Sequence, residues 1–202
     1  VAMALKEPAL RYLLDGDPRR LDAVERGLKR LLRFHGQPQG MFSGDELLHG
    51  IDPVQGTELC TVVEFMASLQ DLAGIAGRTF YADHLEKVAW NALPPQVSAD
   101  YTSRQYYQIP NQIRCSLDPT RPFDTKYAGT EILFGVLTGF PCCTTNMHPG
   151  WPYFIRRLWA ATADGGLAAM AYAPCEVRTR AGGFAVRLVE EMDYPFGDTV
   201  AI

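Results

Sequence analysis

Two short segments carry thiol and carboxyl groups that could form one reactive site. Gly56-Thr57-Glu58-Leu59-Cys60 places a carboxyl and a thiol at the expected start of a long helix, and Cys142 and Cys143 stand just before another. Three sulfur ligands with one oxygen or nitrogen ligand form a tetrahedral set that suits Zn2+. The C-x2-C spacing of common zinc sites is absent, so an inert, buried cysteine pair is the alternative interpretation.

Cys60 lies in the first turn of the helix that is expected over residues 57–75, with Thr57 as the N-cap. The unpaired N–H groups and the helix dipole at such a position stabilise anions. The sequence therefore predicts a lowered pKa for the Cys60 thiol. The alternative is that Glu58 only complements the helix dipole while Cys60 packs in the core.

A second carboxylate pair, Asp45-Glu46, lies in a loop shortly before Glu58. Carboxyl groups on loops around a helical scaffold are the acid and base that a glycosidase needs, although a solvated surface loop has the same composition. Tyr106-Tyr107 could stack on a sugar ring or pack in the core. Of the four scattered histidines, His148, close after the cysteine pair, is the one candidate for a neighbour of the site, and the alternative is that it has no part in it.

The composition is that of a globular protein and excludes several function classes. The chain has 202 residues, of which 47% are hydrophobic and 21% charged, and this excludes a disordered or collagen-like chain. A net charge of −4 offers no broad basic surface, so we expect no nucleic-acid partner. No apolar run approaches the roughly 18 to 20 residues of a membrane span, so we expect no membrane partner.

The five cysteines are an odd number, so at least one thiol stays unpaired. We expect Cys115 and Cys175 to be packing residues. The chain begins within a helical pattern and ends on residues 199–202, which have the pattern of a strand without a partner. We therefore expect an internal piece of a longer protein, whose cellular location and oligomeric state the sequence leaves open.

The elements that must position these residues are mainly helices. Apolar periodicity and turn residues predict helices over residues 1–15, 18–36, 57–75, 80–92 and 146–163. A short strand is predicted over 104–109, followed by a long irregular stretch over 110–141. Beyond residue 165 the period changes to two, which predicts antiparallel strands of a separate β domain over 167–173, 176–180 and 184–189.

One local pattern occurs twice in the helical part of the chain. A helix, a glycine turn and a second helix with Asp-x-x-Glu are found around Gly16 and again, at a constant offset, around Gly77. Repeated helical hairpins are typical of solenoids and of closed α/α toroids. The repeat therefore predicts stacked antiparallel helix pairs.

Together these segments resemble glycoside hydrolase family 127, the β-L-arabinofuranosidase family. The resemblance rests on motifs that run in order through most of the chain, namely Gly44-Asp45-Glu46, Gly56-Thr57-Glu58-Leu59-Cys60, Tyr106-Tyr107-Gln108-Ile109-Pro110-Asn111, Pro141-Cys142-Cys143-Thr144-Thr145-Asn146, Ala171-Tyr172-Ala173-Pro174 and Tyr194-Pro195-Phe196. The combination of E-x-C with C-C-x-x-N is its most specific part.

The resemblance implies both an architecture and an activity. The fold would be mainly α, with residues 1–164 as the C-terminal part of an (α/α)6 toroid of antiparallel helix pairs and residues 165–202 as the first strands of a β-sandwich. The activity would be that of a retaining glycoside hydrolase, which releases a furanosyl sugar, β-L-arabinofuranose, from plant-type glycans. An oligosaccharide is then the binding partner and Zn2+ the cofactor.

The residue roles that the resemblance implies centre on the metal. The implied zinc ligands are Glu46, Cys60, Cys142 and Cys143. Cys142 is also the implied nucleophile, Glu58 the general acid/base and Tyr107 a residue of the sugar subsite. The loop from Glu46 to Glu58 is shorter than in the family's arabinofuranosidases, and the family's sugar-binding histidines come from segments before residue 1. We therefore expect this chain alone to be inactive or nearly so.

Two other functions stay open from the residues themselves. A metal-free hydrolase or lyase on the same helical toroid could use Asp45 and Glu58 as its carboxylate pair. A carbohydrate-binding or structural protein could instead hold a closed, non-catalytic zinc site.

Overall fold

The computed structural model describes residues 1–117 and 127–202, and the predicted irregular stretch over 110–141 lies partly outside them. The chain divides into two compact units, Val1–Trp151 and Pro152–Ile202. The first unit is mainly helical and contains all of the residues for which chemistry is predicted. The second unit consists mainly of strands.

The first unit contains two long helical hairpins and a small strand pair. Its elements, in chain order, are α1 (Glu7–Asp15), α2 (Arg19–His35), β1 (Thr57–Glu58), α3 (Leu59–Ala76), α4 (Thr79–Asn91), β2 (Tyr107–Gln108) and α5 (Cys142–Met147). Single 3-10 turns lie at Met3–Lys6, Pro94–Gln96 and Thr130–Ile132. A further short helix, α6 (Gly150–Ile155), runs from the first unit into the second.

Glycines in the left-handed conformation end the first helix of each hairpin. Gly16 has a φ of 67° and its N–H donates to Tyr12 O, and Gly77 has a φ of 61° and donates to Ala73 O. Residues with a Cβ rarely adopt this conformation, so a glycine here ends the helix and reverses the chain. The repeated helical hairpin is thereby confirmed, while closure of the helices into a ring stays a prediction.

The core of the first unit is built around α3. Its buried residues recur on all faces, and they include Leu59, Val62, Val63, Phe65, Met66, Leu69 and Leu72. With a mean hydropathy of 1.4 over 18 residues, Leu59–Ala76 is long and apolar enough to cross a membrane by length and composition. The expectation that no segment approaches this length overlooked α3, because Glu64 and Asp71 interrupt its apolar run. In the folded chain, 67% of this window is buried, as in a core helix.

The start of α3 differs from the prediction. Thr57 and Glu58 pair with Gln108 and Tyr107 in an antiparallel ladder, so the helix begins only at Leu59. Thr57 is not the N-cap, because its hydroxyl donates to Phe42 O at 3.1 Å and its backbone is extended. Glu58 takes the capping position, with φ −70° and ψ 141°. Cys60 lies in the first helical turn, as predicted.

The helix predicted over residues 146–163 is also wrong in its bounds. The structure divides this segment into α5, α6 and a strand, and α5 already begins at Cys142. Pro149 lies between the two short helices and Pro152 lies in the first turn of α6, and proline supplies no N–H for a continuous helical ladder. As a consequence, the cysteine pair lies within the first turn of a helix rather than before it.

The second unit contains two antiparallel sheets. Its strands are β3 (Trp159–Ala161), β4 (Leu167–Ala169), β5 (Cys175–Ala181), β6 (Phe184–Met192) and β7 (Val200–Ala201). β3 pairs with β4, while the other sheet has the order β5-β6-β7. The expected strand at the chain end does have a partner, since Val200 pairs with Met192. The strands predicted over 176–180 and 184–189 are confirmed as β5 and β6, whereas only the first three residues of the strand predicted over 167–173 form a strand, β4. Their membership of a sandwich stays a prediction.

Candidate functional site

One cluster in the first unit combines the end of β1, the first turn of α3 and the first turn of α5. Glu58, Cys60, Cys142 and Cys143 each offer one ligand atom, and these atoms all lie within 4.8 Å of one another. The three cysteines that the sequence grouped as ligands are therefore brought together, although many residues separate them in the chain.

Short contacts connect the members of this cluster. Cys60 Sγ lies 3.5 Å from Cys143 Sγ, and Cys143 Sγ lies 3.9 Å from Cys142 Sγ. The Cys142 thiol donates to Glu58 Oε1 at 3.3 Å, and Cys143 Sγ is 3.8 Å from the same oxygen. Asn146 Nδ2 donates to Cys60 Sγ at 3.1 Å. The sequence indicates Asn146 only as the last residue of the C-C-x-x-N motif and gives it no role of its own.

The spacing of the sulfurs suits a zinc ion. Two thiolates bound to one Zn2+ at about 2.3 Å in a tetrahedral site lie about 3.8 Å apart. The distances of 3.5 and 3.9 Å bracket this separation. Soft sulfur donors with one carboxylate are a donor set that zinc accepts, so the residues present fit the implied cofactor.

The carboxylate of the cluster is Glu58, which was predicted as the acid/base. Backbone pairing fixes it there, because Glu58 pairs with Tyr107 and its N–H donates to Gly44 O at 3.0 Å. Glu46, the predicted fourth ligand, has an exposed side chain and lies outside the cluster. Its negative charge nevertheless raises the pKa of Glu58. The cluster of potential ligands in the described chain therefore contains Glu58, the predicted acid/base, and does not contain Glu46, the predicted ligand.

Burial raises the pKa of Glu58, Cys60 and Cys142 in the metal-free cluster. Desolvation is the main cause for Glu58 and also for Cys142, whose thiol pKa rises to about 12. The predicted lowering for Cys60 is wrong, because its hydrogen bond with Cys143 and its burial raise the pKa of this thiol. These contacts outweigh the helix dipole. The Cys60 and Cys142 thiols are consequently protonated at neutral pH unless a cation replaces their protons.

Exposure distinguishes the three thiols. Cys143 is completely buried, whereas Cys60 and Cys142 are partly exposed. Cys60 accepts the Asn146 amide, and Cys142 has no such amide contact in the described chain. Cys142 is therefore the thiol of the cluster that is best placed to meet an external reactant.

Tyr107 contacts the loop that carries the second carboxylate pair. Its hydroxyl donates to Asp45 Oδ2, and its ring lies edge-on to His49 at a centroid distance of 6.1 Å. Asp45 Oδ1 accepts the Leu47 N–H at 3.0 Å and lies 3.5 Å from His49 Nε2. Desolvation and the bond to Asp45 raise the pKa of Tyr107. The sequence did not indicate this Asp45–Tyr107–His49 contact, because it depends on the approach of two separate segments.

The remaining candidates lie apart from the cluster. His148 is exposed directly after α5. Cys115 is exposed and its sulfur accepts the Gln105 amide, while the Cys175 thiol donates to Glu190 Oε2 in the second unit. None of these three residues belongs to the cluster of potential ligands in the described chain.

No protein-family model matches the sequence, and no curated protein matches it. Among solved structures, the chain is similar to the crystal structure of Ara127N-Se, a GH127 β-L-arabinofuranosidase from Geobacillus stearothermophilus T6. The TM-score is 0.72 at 15% identity, over 98% of this chain and 31% of that chain. The chain thus spans about a third of the length of the structure it matches, and it has a GH127-like fold.

Proposed function

We propose that this chain carries the zinc centre and the nucleophile of a retaining glycoside hydrolase that releases β-L-arabinofuranose from plant-type glycans. The observation that supports it is the cluster of one carboxylate and three thiols within a GH127-like fold. In this proposal residues 1–164 belong to an (α/α)6 barrel, and residues 165–202 begin a β-sandwich. The substrate is inferred from the activity named for the similar structure.

The proposed ligands are Glu58, Cys60, Cys142 and Cys143. Zn2+ bound among them would keep the thiols deprotonated near neutral pH, despite the raised pKa values of the metal-free cluster. Asn146 orients Cys60 through its amide, and the β1–β2 ladder orients Glu58. Cys60 and Glu58 are therefore each held by a contact of their own, and Cys142 and Cys143 are held by the first turn of α5.

Cys142 is the proposed nucleophile. Its sulfur forms a bond to the anomeric carbon while the bond from that carbon to the leaving-group oxygen breaks. Water then displaces the sulfur, which leaves the sugar with its original anomeric configuration. Cys142 suits this role because the residue is partly exposed, whereas Cys143 is buried.

Glu46 is the proposed general acid/base, in place of Glu58. Glu58 is buried within the cluster and accepts the Cys142 thiol, so it is poorly placed to serve a substrate. Glu46 is exposed, and its charge acts on Glu58. Its carboxyl group would protonate the leaving oxygen and then remove a proton from the attacking water.

Tyr107 and Asp45 support the loop that presents Glu46. Tyr107 is buried, and its hydroxyl donates a hydrogen bond to Asp45. Burial and this bond favour a role in supporting the sugar subsite over stacking on the sugar. Asp45 also accepts a hydrogen bond from the backbone N–H of Leu47, so the residues on both sides of Glu46 are fixed. The same contacts disfavour Asp45 as a catalytic carboxylate in a metal-free enzyme.

A covalent probe tests the proposed nucleophile. The zinc-loaded protein, expressed from its complete reading frame, is treated with an electrophile of β-L-arabinofuranose configuration, and the labelled residue is identified by mass spectrometry. We expect labelling of Cys142, which Cys142→Ser abolishes and Cys115→Ser leaves unchanged. A probe of glucose configuration serves as the matched control. Equal labelling by the two probes, or labelling of other cysteines in place of Cys142, would contradict the proposal.

A structural zinc centre is the second candidate function. Four protein ligands complete a tetrahedral site, and coordinatively closed sites of this kind are typical of structural zinc. This candidate predicts zinc uptake, loss of zinc in Cys60→Ala, and no sugar-selective labelling of Cys142. Metal analysis combined with the covalent probe therefore separates the two candidates.

A further inference from the structure

Arg104 is a completely buried cation beside the segment that leads to the cysteine pair. Its exposed fraction is 0%. In the described chain its guanidinium donates to neutral oxygens, which are the carbonyls of Val136, Thr138 and Phe140 and the hydroxyl of Thr144. A buried charge is costly unless hydrogen bonds replace its water. These oxygens are therefore held in place around the guanidinium.

The contacts of Arg104 connect the approach to β2 with α5. Nη2 lies 2.9 Å from Phe140 O, and both Nε and Nη2 reach Thr144 Oγ1, at 3.2 and 2.9 Å. The backbone of Arg104 also pairs with Gly135, since each N–H donates to the other residue's carbonyl, at 3.4 and 3.1 Å. Thr144 directly follows Cys143 in the first turn of α5. One side chain therefore contacts both the loop before α5 and the helix itself.

Local features alone do not explain the position of α5. The helix has six residues, too few to be stable in isolation, and Pro141 at its N-cap forms no side-chain capping bond. Val136 and Phe140 in the preceding loop are about half exposed, at 52% and 51%. Packing of these side chains consequently restrains the loop little. Hydrogen bonds restrain it instead: those from Arg104, together with the bonds from Thr144 Oγ1 to Val136 O, from Thr138 Oγ1 to Leu133 O and from the Gly139 N–H to Thr130 Oγ1.

We infer that Arg104 is a positioning residue that holds Cys142 and Cys143 against Cys60 and Glu58 by gathering the carbonyls of residues 136–140 and the hydroxyl of Thr144. This inference rests on the proposed metal centre for its functional meaning. The alternative is that Arg104 only stabilises the fold and that α5 keeps its place without it.

Cobalt binding tests the inference on the metal-free chain. Co2+ is titrated into the chain, and the thiolate-to-metal charge-transfer absorption reports the affinity and the ligand geometry. Loss of a contact that orients metal ligands typically weakens binding by about 10- to 100-fold. We expect a loss of this size, with an altered spectrum, for Arg104→Lys and for Thr144→Val. Lysine keeps the charge, but its single nitrogen cannot reach all of the oxygens that Nε, Nη1 and Nη2 of the guanidinium bind.

Matched controls separate positioning from stability. Thr144→Ser keeps the hydroxyl that Arg104 binds, so we expect wild-type affinity. Leu28→Ala removes a buried side chain from α2 and destabilises the fold without touching the residues around Arg104. Its cobalt spectrum should match that of the wild type. If Arg104→Lys does not fold, Arg104→Gln takes its place, because Thr144→Val also removes the bond from Thr144 Oγ1 to Val136 O.

Thiol labelling gives a second readout that needs no metal. In the metal-free wild type, a small alkylating reagent should label the partly exposed Cys142 well before the buried Cys143. Arg104→Lys and Thr144→Val should bring the labelling rates of Cys142 and Cys143 closer together. Wild-type cobalt affinity together with an unchanged labelling order in Thr144→Val would overturn the inference. If the wild-type chain takes up no Co2+, the proposed metal centre fails, and the labelling order still decides the role of Arg104.

Discussion

At the residue scale, the two glutamates have the same chemistry and different environments. Glu58 is buried at the junction of β1 and α3, where it accepts the Cys142 thiol, and Glu46 is exposed on the preceding loop. Burial favours a role as metal ligand, because the cation can compensate the desolvated carboxylate. Exposure favours proton exchange with substrate and water. The structure therefore favours Glu58 as the ligand and Glu46 as the acid/base.

Substitution of each glutamate by glutamine tests this assignment. Glu58→Gln should lower the zinc affinity of the chain by at least about 10-fold, because it replaces an anionic ligand by a neutral amide. The carboxyl group of Glu58 is desolvated, as its raised pKa shows, and a bound cation would compensate its charge. Glu46→Gln should bind zinc like the wild type. Competition with a chromophoric chelator measures both affinities, and circular dichroism checks the folding of the two variants. The reverse order of affinities would support Glu46 as the ligand.

At the element scale, a ladder of two short strands positions the site. β1 and β2 pair through Thr57↔Gln108 and Glu58↔Tyr107, and Gly56 precedes this ladder. A Cβ on Gly56 would lie only 2.6 Å from Tyr107 Cγ, so the close approach of the two segments requires glycine. The site therefore depends on backbone contact at Gly56 as well as on its ligands.

Gly56→Ala should destabilise the chain and loosen the cluster. We expect the free energy of unfolding to fall by about 1–3 kcal/mol, because the added methyl group displaces the buried Tyr107 ring. Gly74→Ala is the matched control, since this glycine lies in α3 with nothing within 4 Å of its Cβ position. The control should be neutral or stabilise by up to about 1 kcal/mol. Urea denaturation measures both, and equal stability of the two variants would contradict the prediction.

At the scale of the whole chain, the cluster joins distant parts of the sequence. Glu58 and Cys60 come from the β1–α3 junction, whereas Cys142 and Cys143 come from α5. A metal bound among them would cross-link the folded first unit, and such a complete site does not exist in an unfolded chain. Metal binding should therefore appear as a gain in folding stability.

Zinc removal should lower the stability of the chain in a pH-dependent way. At a free zinc concentration of about 100 times Kd, the expected stabilisation is about 2.7 kcal/mol. It should shrink from about pH 8 to about pH 6, because protons compete for thiols whose pKa is raised, to about 12 for Cys142. Thermal unfolding with zinc or with a chelator measures the difference. The Cys115→Ser variant should keep the stabilisation by zinc, and the Cys60→Ser variant should lose it. A wild-type chain with the same stability in zinc and in chelator would refute the metal centre.

The sequence by itself determined the features that depend on a few neighbouring residues. The helical hairpins, their turns at Gly16 and Gly77, and the strands β5 and β6 could be predicted, because periodicity and left-handed glycine act locally. The strand β3 could not, since its segment has the pattern of a helix. The three cysteines proposed as ligands could also be selected from their residue type. Only their proximity had to come from the fold.

The tertiary structure decided which groups meet and how deeply they are buried. It placed Glu58 in the cluster in place of Glu46, raised the pKa of Cys60 where the helix dipole predicted a lowering, and surrounded Arg104 with carbonyls. The physical reason is the same in each case. Desolvation and hydrogen bonding between segments that are distant in the chain set these properties, and no local pattern of residues encodes them.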